Sequence, residues 1–226
     1  DICPVGALLD REFLFKQRVW FLEEANSICP GCSAGCNIRV DFRNERIYRL
    51  KPRENPDVND YWMCDDGRHG WGYVHSDDRL LFPTIGRGEE PNLVLWEAAV
   101  QTIKERFEEI RQAHGDGAVA GIASAHLTNE ENYLFGRLMR DGLPGSAVAM
   151  RPKVSAEGDV AFKGGFVIRA DKAPNSLGAR TVLEGLGIGL CEPSEIWQGI
   201  QEGRIKGLYM LGGDPVERLS EAERKA

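Results

Sequence analysis

The spacing of the cysteines constrains this chain more than any other feature. Cys29-Pro30-Gly31-Cys32-Ser33-Ala34-Gly35-Cys36 places three thiols in one short loop, and a fourth, Cys64, follows 28 residues later. Five of the six cysteines fall at positions 3, 29, 32, 36 and 64. A disulfide framework is expected of short secreted chains, and no secretory pattern is read here, so clustered thiols point to metal. A cubane iron–sulfur cluster is held by four Cys thiolates arriving from several corners. A compact loop can supply three of them and a distant segment the fourth. Gly31 and Gly35 lie between ligands, where the backbone has to curl and aim N–H groups at sulfur, and glycine takes positive φ without penalty. Zinc is the rival reading, because it also accepts four Cys, but its usual signature is two short pairs. Buried thiols without any metal fit poorly in a module with so little other core.

The chain has 226 residues, enough for one ordinary domain and a smaller module. Hydrophobic residues make up 42%, so a core can be buried. A net charge of −7 without a basic run argues against a nucleic-acid partner, since phosphate contacts need clustered Lys and Arg. No apolar run reaches the length of a membrane span, which leaves docking to a membrane protein from the aqueous side open. The chain opens inside a motif, Asp1-Ile2-Cys3-Pro4, and is read as an internal fragment of something longer.

Three regions are expected. Residues 1–25 read as a connector that ends in Trp20-Phe21-Leu22, with aromatics suited to packing on a partner. Residues 26–85 read as a small module. Ile38, Val40 and Phe42 alternate as in a strand, Arg43-Asn44-Glu45 turns, Ile47-Tyr48-Arg49-Leu50 returns, and Pro52 to Asp60 loops. From 86 to 226 helix and strand alternate. Val100, Ile103, Phe107 and Ile110 keep helical spacing, and Ala118 to Ala123 is a short apolar strand. Thr128 and Glu131 form a capping box ahead of a stripe of Tyr133, Leu134, Leu138 and Met139. Gly165 to Ile168 is a candidate strand, Pro193 and Ser194 open a helix, and Leu208-Tyr209-Met210-Leu211 is a last strand before Gly212-Gly213-Asp214-Pro215. This succession predicts an α/β fold, with short strands around the cluster loop followed by a partial parallel α/β domain.

The motif Cys-x2-Cys-x3-Cys-x27-Cys with Gly67-Arg68 soon after resembles the [4Fe–4S] module of the molybdopterin oxidoreductase superfamily. Ile28 to Ile38, Leu50-Lys51-Pro52-Arg53-Glu54-Asn55 and Asn59 to Arg68 are most similar to its respiratory complex I branch, the large iron–sulfur subunits of bacterial NADH:quinone oxidoreductases. The resemblance implies one [4Fe–4S] cluster on Cys29, Cys32, Cys36 and Cys64. It also implies that Cys3, in Cys3-Pro4-Val5-Gly6-Ala7-Leu8, is the last ligand of a second [4Fe–4S] cluster completed outside the fragment. The implied role is electron transfer from NADH through clusters toward quinone, with no self-contained catalytic site. The implied partners are the other subunits of the complex I peripheral arm, on the cytoplasmic side of the bacterial inner membrane.

The same superfamily holds catalytic molybdopterin enzymes, and the large subunit of an NAD-linked formate dehydrogenase is the alternative. Active members of that kind usually carry a Lys two residues after the fourth Cys, where this chain has Asp66 beside Asp65. They also often carry a Cys ligand for molybdenum after the first α/β unit, and there is no Cys between Cys64 and Cys191. Ser146 and Ser155 leave a Ser ligand open. Both features lead us to expect that molybdopterin is absent. Cys191 reads as a small buried side chain, Gly212 to Pro215 as a plain turn, and the four His share no ligand spacing.

Overall fold

The computed structural model describes residues 3–5, 7–86, 92–151 and 154–212. In chain order the strands and α-helices are β1 (Glu23–Ile28), β2 (Asn37–Arg43), β3 (Arg46–Pro52), α1 (Asp65–His69), β4 (Thr84–Ile85), β5 (Asn92–Leu93), α2 (Trp96–His114) and β6 (Val119–Ser124). They continue as α3 (Asn129–Arg137), β7 (Val148–Arg151), β8 (Val160–Ala161), β9 (Val167–Ile168), α4 (Ser176–Gly185), β10 (Leu190–Cys191), α5 (Pro193–Gln201) and β11 (Gly207–Met210). The chain forms two compact units, Asp1–Arg79 with Lys153–Pro174, and Leu80–Pro152 with Asn175–Ala226.

The first unit is built on an antiparallel sheet in the order β1-β2-β3. Strands β2 and β3 are joined by the two residues Asn44 and Glu45, both at positive φ (49° and 61°). Paired positive φ is the conformation whose twist matches a two-residue hairpin, and it makes the Arg43-Asn44-Glu45 turn expected from the sequence concrete. Asp41 lies 1% exposed in this sheet, bonded to Arg49 on β3 and 2.9 Å from the Lys51 ammonium. A carboxylate withdrawn from water this far needs both cations. Strand β1, whose first residues fall within the expected connector, is exposed along its length and pairs on one side only. A strand without a buried face has no alternation to betray it.

The core of this unit is small: Cys29, Cys36, Ile38, Leu50 and Met63, with Val40, Ile47, Trp71 and Phe166 packed against it. Phe166 comes from residues 154–174, which the sequence places in the α/β region. They hold the hairpin β8–β9 and a bridge between Val154 and Asp171.

The second unit carries an all-parallel sheet in the order β10-β7-β6-β11, so the chain is α/β as its sequence predicts. Helix α3 crosses from β6 to β7 and α5 from β10 to β11. All six residues of β6 are buried, as expected of a parallel strand covered on both faces. Ala120, Ile122, Ala149, Ile196 and Ile205 pack as one cluster. At Gly121 a Cβ would lie 2.7 Å from the Phe135 ring, so only glycine lets α3 sit this close to the strand.

The Thr128–Glu131 capping box is formed, with the Glu131 N–H donating to the Thr128 hydroxyl at 3.2 Å and the Thr128 N–H to the Glu131 carboxylate at 2.8 Å. The helix turns a different face inward than the sequence suggests. Asn132, Phe135, Gly136 and Met139 are buried, while Tyr133, Leu134 and Leu138 are exposed. Asn132 fits inside because its amide donates to the carbonyls of Ser124, Leu127 and Thr128. Of the Gly212 to Pro215 turn, only Gly212 is among the described residues.

Candidate metal centre

The ligand loop runs between β1 and β2, closed by the Cys29 N–H donating to the Cys36 carbonyl at 2.8 Å. That bond extends the β1–β2 ladder and brings the two ends of the loop together. Gly35 has φ of 64°, as its place in the tight loop requires. Gly31 is not among the residues with positive φ, which corrects the expectation for it. Its role is the other one expected, an N–H directed at the Cys29 sulfur.

Cys64 arrives from the far side of the module. It caps α1, accepting a hydrogen bond at its sulfur from the Gly67 N–H at 3.4 Å. Asn59, 3% exposed, fixes this approach. Its carbonyl accepts from the Asn37 N–H at 2.9 Å, and its amide donates to the Trp62 carbonyl at 3.0 Å. The chain just after Cys36 and the chain just before Cys64 are thereby tied to one side chain.

Cys29, Cys32, Cys36 and Cys64 line one cavity of about 40 Å³. That exceeds the 10–15 Å³ or so that one water occupies on the same measure. Met63, Phe166, Val167 and Ile168 line one part of its wall with apolar side chains, and Asp66 and Lys172 also reach it. All six cysteines are free of disulfides. Burial pushes the Cys29 thiol above its ordinary pKa, and burial together with the neighbouring sulfurs pushes Cys36 up to about 11. Without metal, Cys29 and Cys36 therefore keep their protons at neutral pH, and binding a metal group must release them.

The donor set and the space fit a [4Fe–4S] group. All four donors are sulfur, and a Cβ at Gly67 would lie 2.9 Å from the Cys29 sulfur and 3.6 Å from that of Cys64. Glycine there keeps the space between two ligands open. Among the described residues no set of three or more His, Cys, Asp or Glu is arranged around a single metal ion. Cys3 is half-buried and does not line the cavity. Cys191 lies in β10, in the other unit, its thiol pushed up by burial and by Glu195.

Three residues that matter here are not singled out for the site by the sequence. Gly67 is visible there only as part of Gly67-Arg68, and Asn59 only as a loop polar residue. Phe166 carries no signal, because nothing in the sequence tells that residues 154–174 pack on the cluster module.

Residues 22–76 match the model of the molybdopterin oxidoreductase Fe4S4 domain. The chain is 37% identical over 141 residues to the NADPH-Fe(3+) oxidoreductase subunit alpha of Geobacter sulfurreducens, covering 62% of this chain and 16% of that one. It is 31% identical over 163 residues to a subunit of the NADH-quinone oxidoreductase of Streptomyces coelicolor, covering 72% and 19%. A putative formate dehydrogenase of Staphylococcus aureus is 31% identical over 138 residues, covering 61% and 14%. The matched part thus spans less than a fifth of the length of each of these relatives. The chain thus carries a match to the molybdopterin oxidoreductase Fe4S4 domain and is similar over most of its length to a subunit of NADH-quinone oxidoreductase.

Proposed function

We propose that Cys29, Cys32, Cys36 and Cys64 hold one [4Fe–4S] cluster, and that the chain is an electron-transfer part of an NADH:quinone oxidoreductase. The observation that carries this is the convergence of four free thiols, all within the matched residues 22–76, on one cavity. A bound cluster supplies reversible one-electron transfer. The protein's own part is to hold, orient and shield. The β1–β2 loop fixes three sulfurs, and Asn59 sets the approach of the fourth. The N–H groups of Gly31 and Gly67 point at sulfur, where they stabilise negative charge.

Cys3 is assigned as the last ligand of a second [4Fe–4S] cluster whose other ligands come from outside this chain. The partners are the other subunits of a peripheral arm on the cytoplasmic side of the bacterial inner membrane. Val5, Leu8, Phe15 and Trp20, each more than 70% exposed, are suited to such contacts. Among the described residues no helix is long and apolar enough to cross a membrane. Molybdopterin has no part in this reading, because Asp66 stands where a cation beside that cofactor would be expected.

The similarity to a putative formate dehydrogenase supports a second reading, a catalytic molybdopterin oxidoreductase. One set of measurements separates the two. Anaerobically reconstituted protein should carry about four irons and four sulfides per chain and give an EPR signal on reduction. Molybdenum and pterin analysis of the complete protein should find neither. Stoichiometric pterin would establish the second reading, and a colourless protein with zinc in place of iron would exclude both.

A further inference from the structure

Of the residues lining the thiol cavity, two carry a side-chain charge at neutral pH, Asp66 and Lys172. The sequence shows only the first beside the ligands, so the site reads as acidic. The structure brings the second from residues 154–174, in the same compact unit. We propose that Lys172 is a positioning residue for electron transfer, holding a positive charge at the cluster cavity and raising the reduction potential of the group bound there. This rests on the assignment of a [4Fe–4S] cluster to Cys29, Cys32, Cys36 and Cys64.

The backbone around Lys172 is pinned on both sides. The Asp171 carbonyl accepts from the Ser33 N–H, inside the ligand loop, at 2.9 Å. The Asp171 carboxylate accepts from the Ala173 N–H at 3.1 Å, and Ala173 is 1% exposed. Lys172 therefore starts from a fixed point beside three of the four ligands. The nearby Asp159 carboxylate is held chiefly by the Ala170 N–H, at 2.7 Å, and by Arg169, at 2.9 Å, and feels the Lys172 charge more weakly. Among the described residues no carboxylate forms a salt bridge with the Lys172 ammonium.

The two charges do not weigh equally. Asp66 is exposed, and water and salt screen it. Lys172 is half-buried, next to a wall of Phe166, Val167 and Ile168, where the effective dielectric is lower and a charge reaches further. Reduction takes one electron from an external reductant into a group already bound by four thiolates. No bond forms or breaks, and the net change is one more negative charge at the site. A fixed cation stabilises that product more than the oxidised form, so the potential rises.

The test is an EPR-monitored potentiometric measurement on the anaerobically reconstituted protein, at fixed pH and ionic strength, with dithionite as reductant. The wild type must first show about four irons per chain and a signal on reduction. If it does not, the cluster assignment itself fails, before any variant is compared. Lys172→Met should shift the one-electron equilibrium about tenfold toward the oxidised form, about 60 mV lower, with iron content and line shape unchanged. Lys172→Arg should keep the wild-type potential. Asp66→Asn should move it the other way and by less. An intact cluster with an unchanged potential in Lys172→Met would overturn the proposal. So would loss of iron in both Lys172→Met and Lys172→Gln with full iron in Lys172→Arg, because the charge would then hold the group instead of tuning it.

Discussion

At the scale of single residues, Gly67 is the most sensitive position of the candidate site. It lies in α1, three residues after Cys64, where alanine would favour the helix by roughly 0.5–1 kcal/mol over glycine. The space argues the other way. A Cβ would stand 2.9 Å from the Cys29 sulfur and 3.3 Å from the end of Met63. Met63 is flexible and can move aside, but a Cys29 sulfur bound to the proposed cluster could not move without leaving it. Gly67→Ala should therefore lower iron and acid-labile sulfide to less than half of the wild-type content, without lowering the stability of the metal-free chain. Full iron content in that variant would show that the sulfur can shift, and that the glycine is there for some other reason. The thiols themselves are legible in the sequence, since their spacing alone separates a three-plus-one set from two pairs. Gly67 and Asn59 are not, because their roles are a close approach and a set of backbone hydrogen bonds. Both exist only once Cys36 and Cys64 have been brought together.

At the scale of elements, the sequence is read well where a periodic face meets one layer. Strands β2 and β3, the capping box of α3, helix α5 and strand β11 stand close to where their patterns place them, and so does α2, although Val100 and Ile103 of its expected stripe are exposed. The buried face of α3 differs from its pattern because Asn132 counts as polar in any pattern, while its amide nitrogen donates to three carbonyls. The hairpin β8–β9 is half visible in the sequence: Gly165 to Ile168 is a candidate strand, but its place against the cluster module is not legible. Two-residue strands carry no period, and contact with a module so distant in sequence leaves no local trace. Yet this hairpin supplies Phe166, Val167 and Ile168 to the cavity wall, with Phe166 packed on the core that includes Cys29 and Cys36. An aromatic side chain in that place excludes water and dissolved oxygen. Phe166→Ala should leave the cluster bound after anaerobic reconstitution but speed its bleaching in air several-fold, read as loss of visible absorbance. Bleaching at the wild-type rate would mean that the remaining wall suffices.

At the scale of the whole chain, the two compact units rest on different kinds of core. The second has a sheet whose central strand is wholly buried, with Phe135, Met139, Leu183 and Ile196 each at most 2% exposed around it. That is an ordinary apolar core. The first has a cluster of Ile38, Leu50 and Met63, whose other members are Cys29 and Cys36. Its buried carboxylate, Asp41, depends on Arg49 and Lys51 staying in register across the sheet. A core this small does not supply the several kcal/mol that a stable unit needs, and small modules of this kind are held by a staple. Four thiolates bound to one metal group would join the β1–β2 loop to α1 and supply that staple. Cys32→Ser removes one of the four links and leaves the second unit's core untouched. Amide hydrogen exchange should then show protection lost across β1, β2 and β3, while β6, β7 and β11 keep theirs. The same pattern should follow when the wild-type protein is stripped of iron by a chelator, which separates the cluster from the side-chain change. Protection retained in β1 to β3 under both treatments would mean that the sheet stands on its own hydrogen bonds, and that the cysteines serve electron transfer alone.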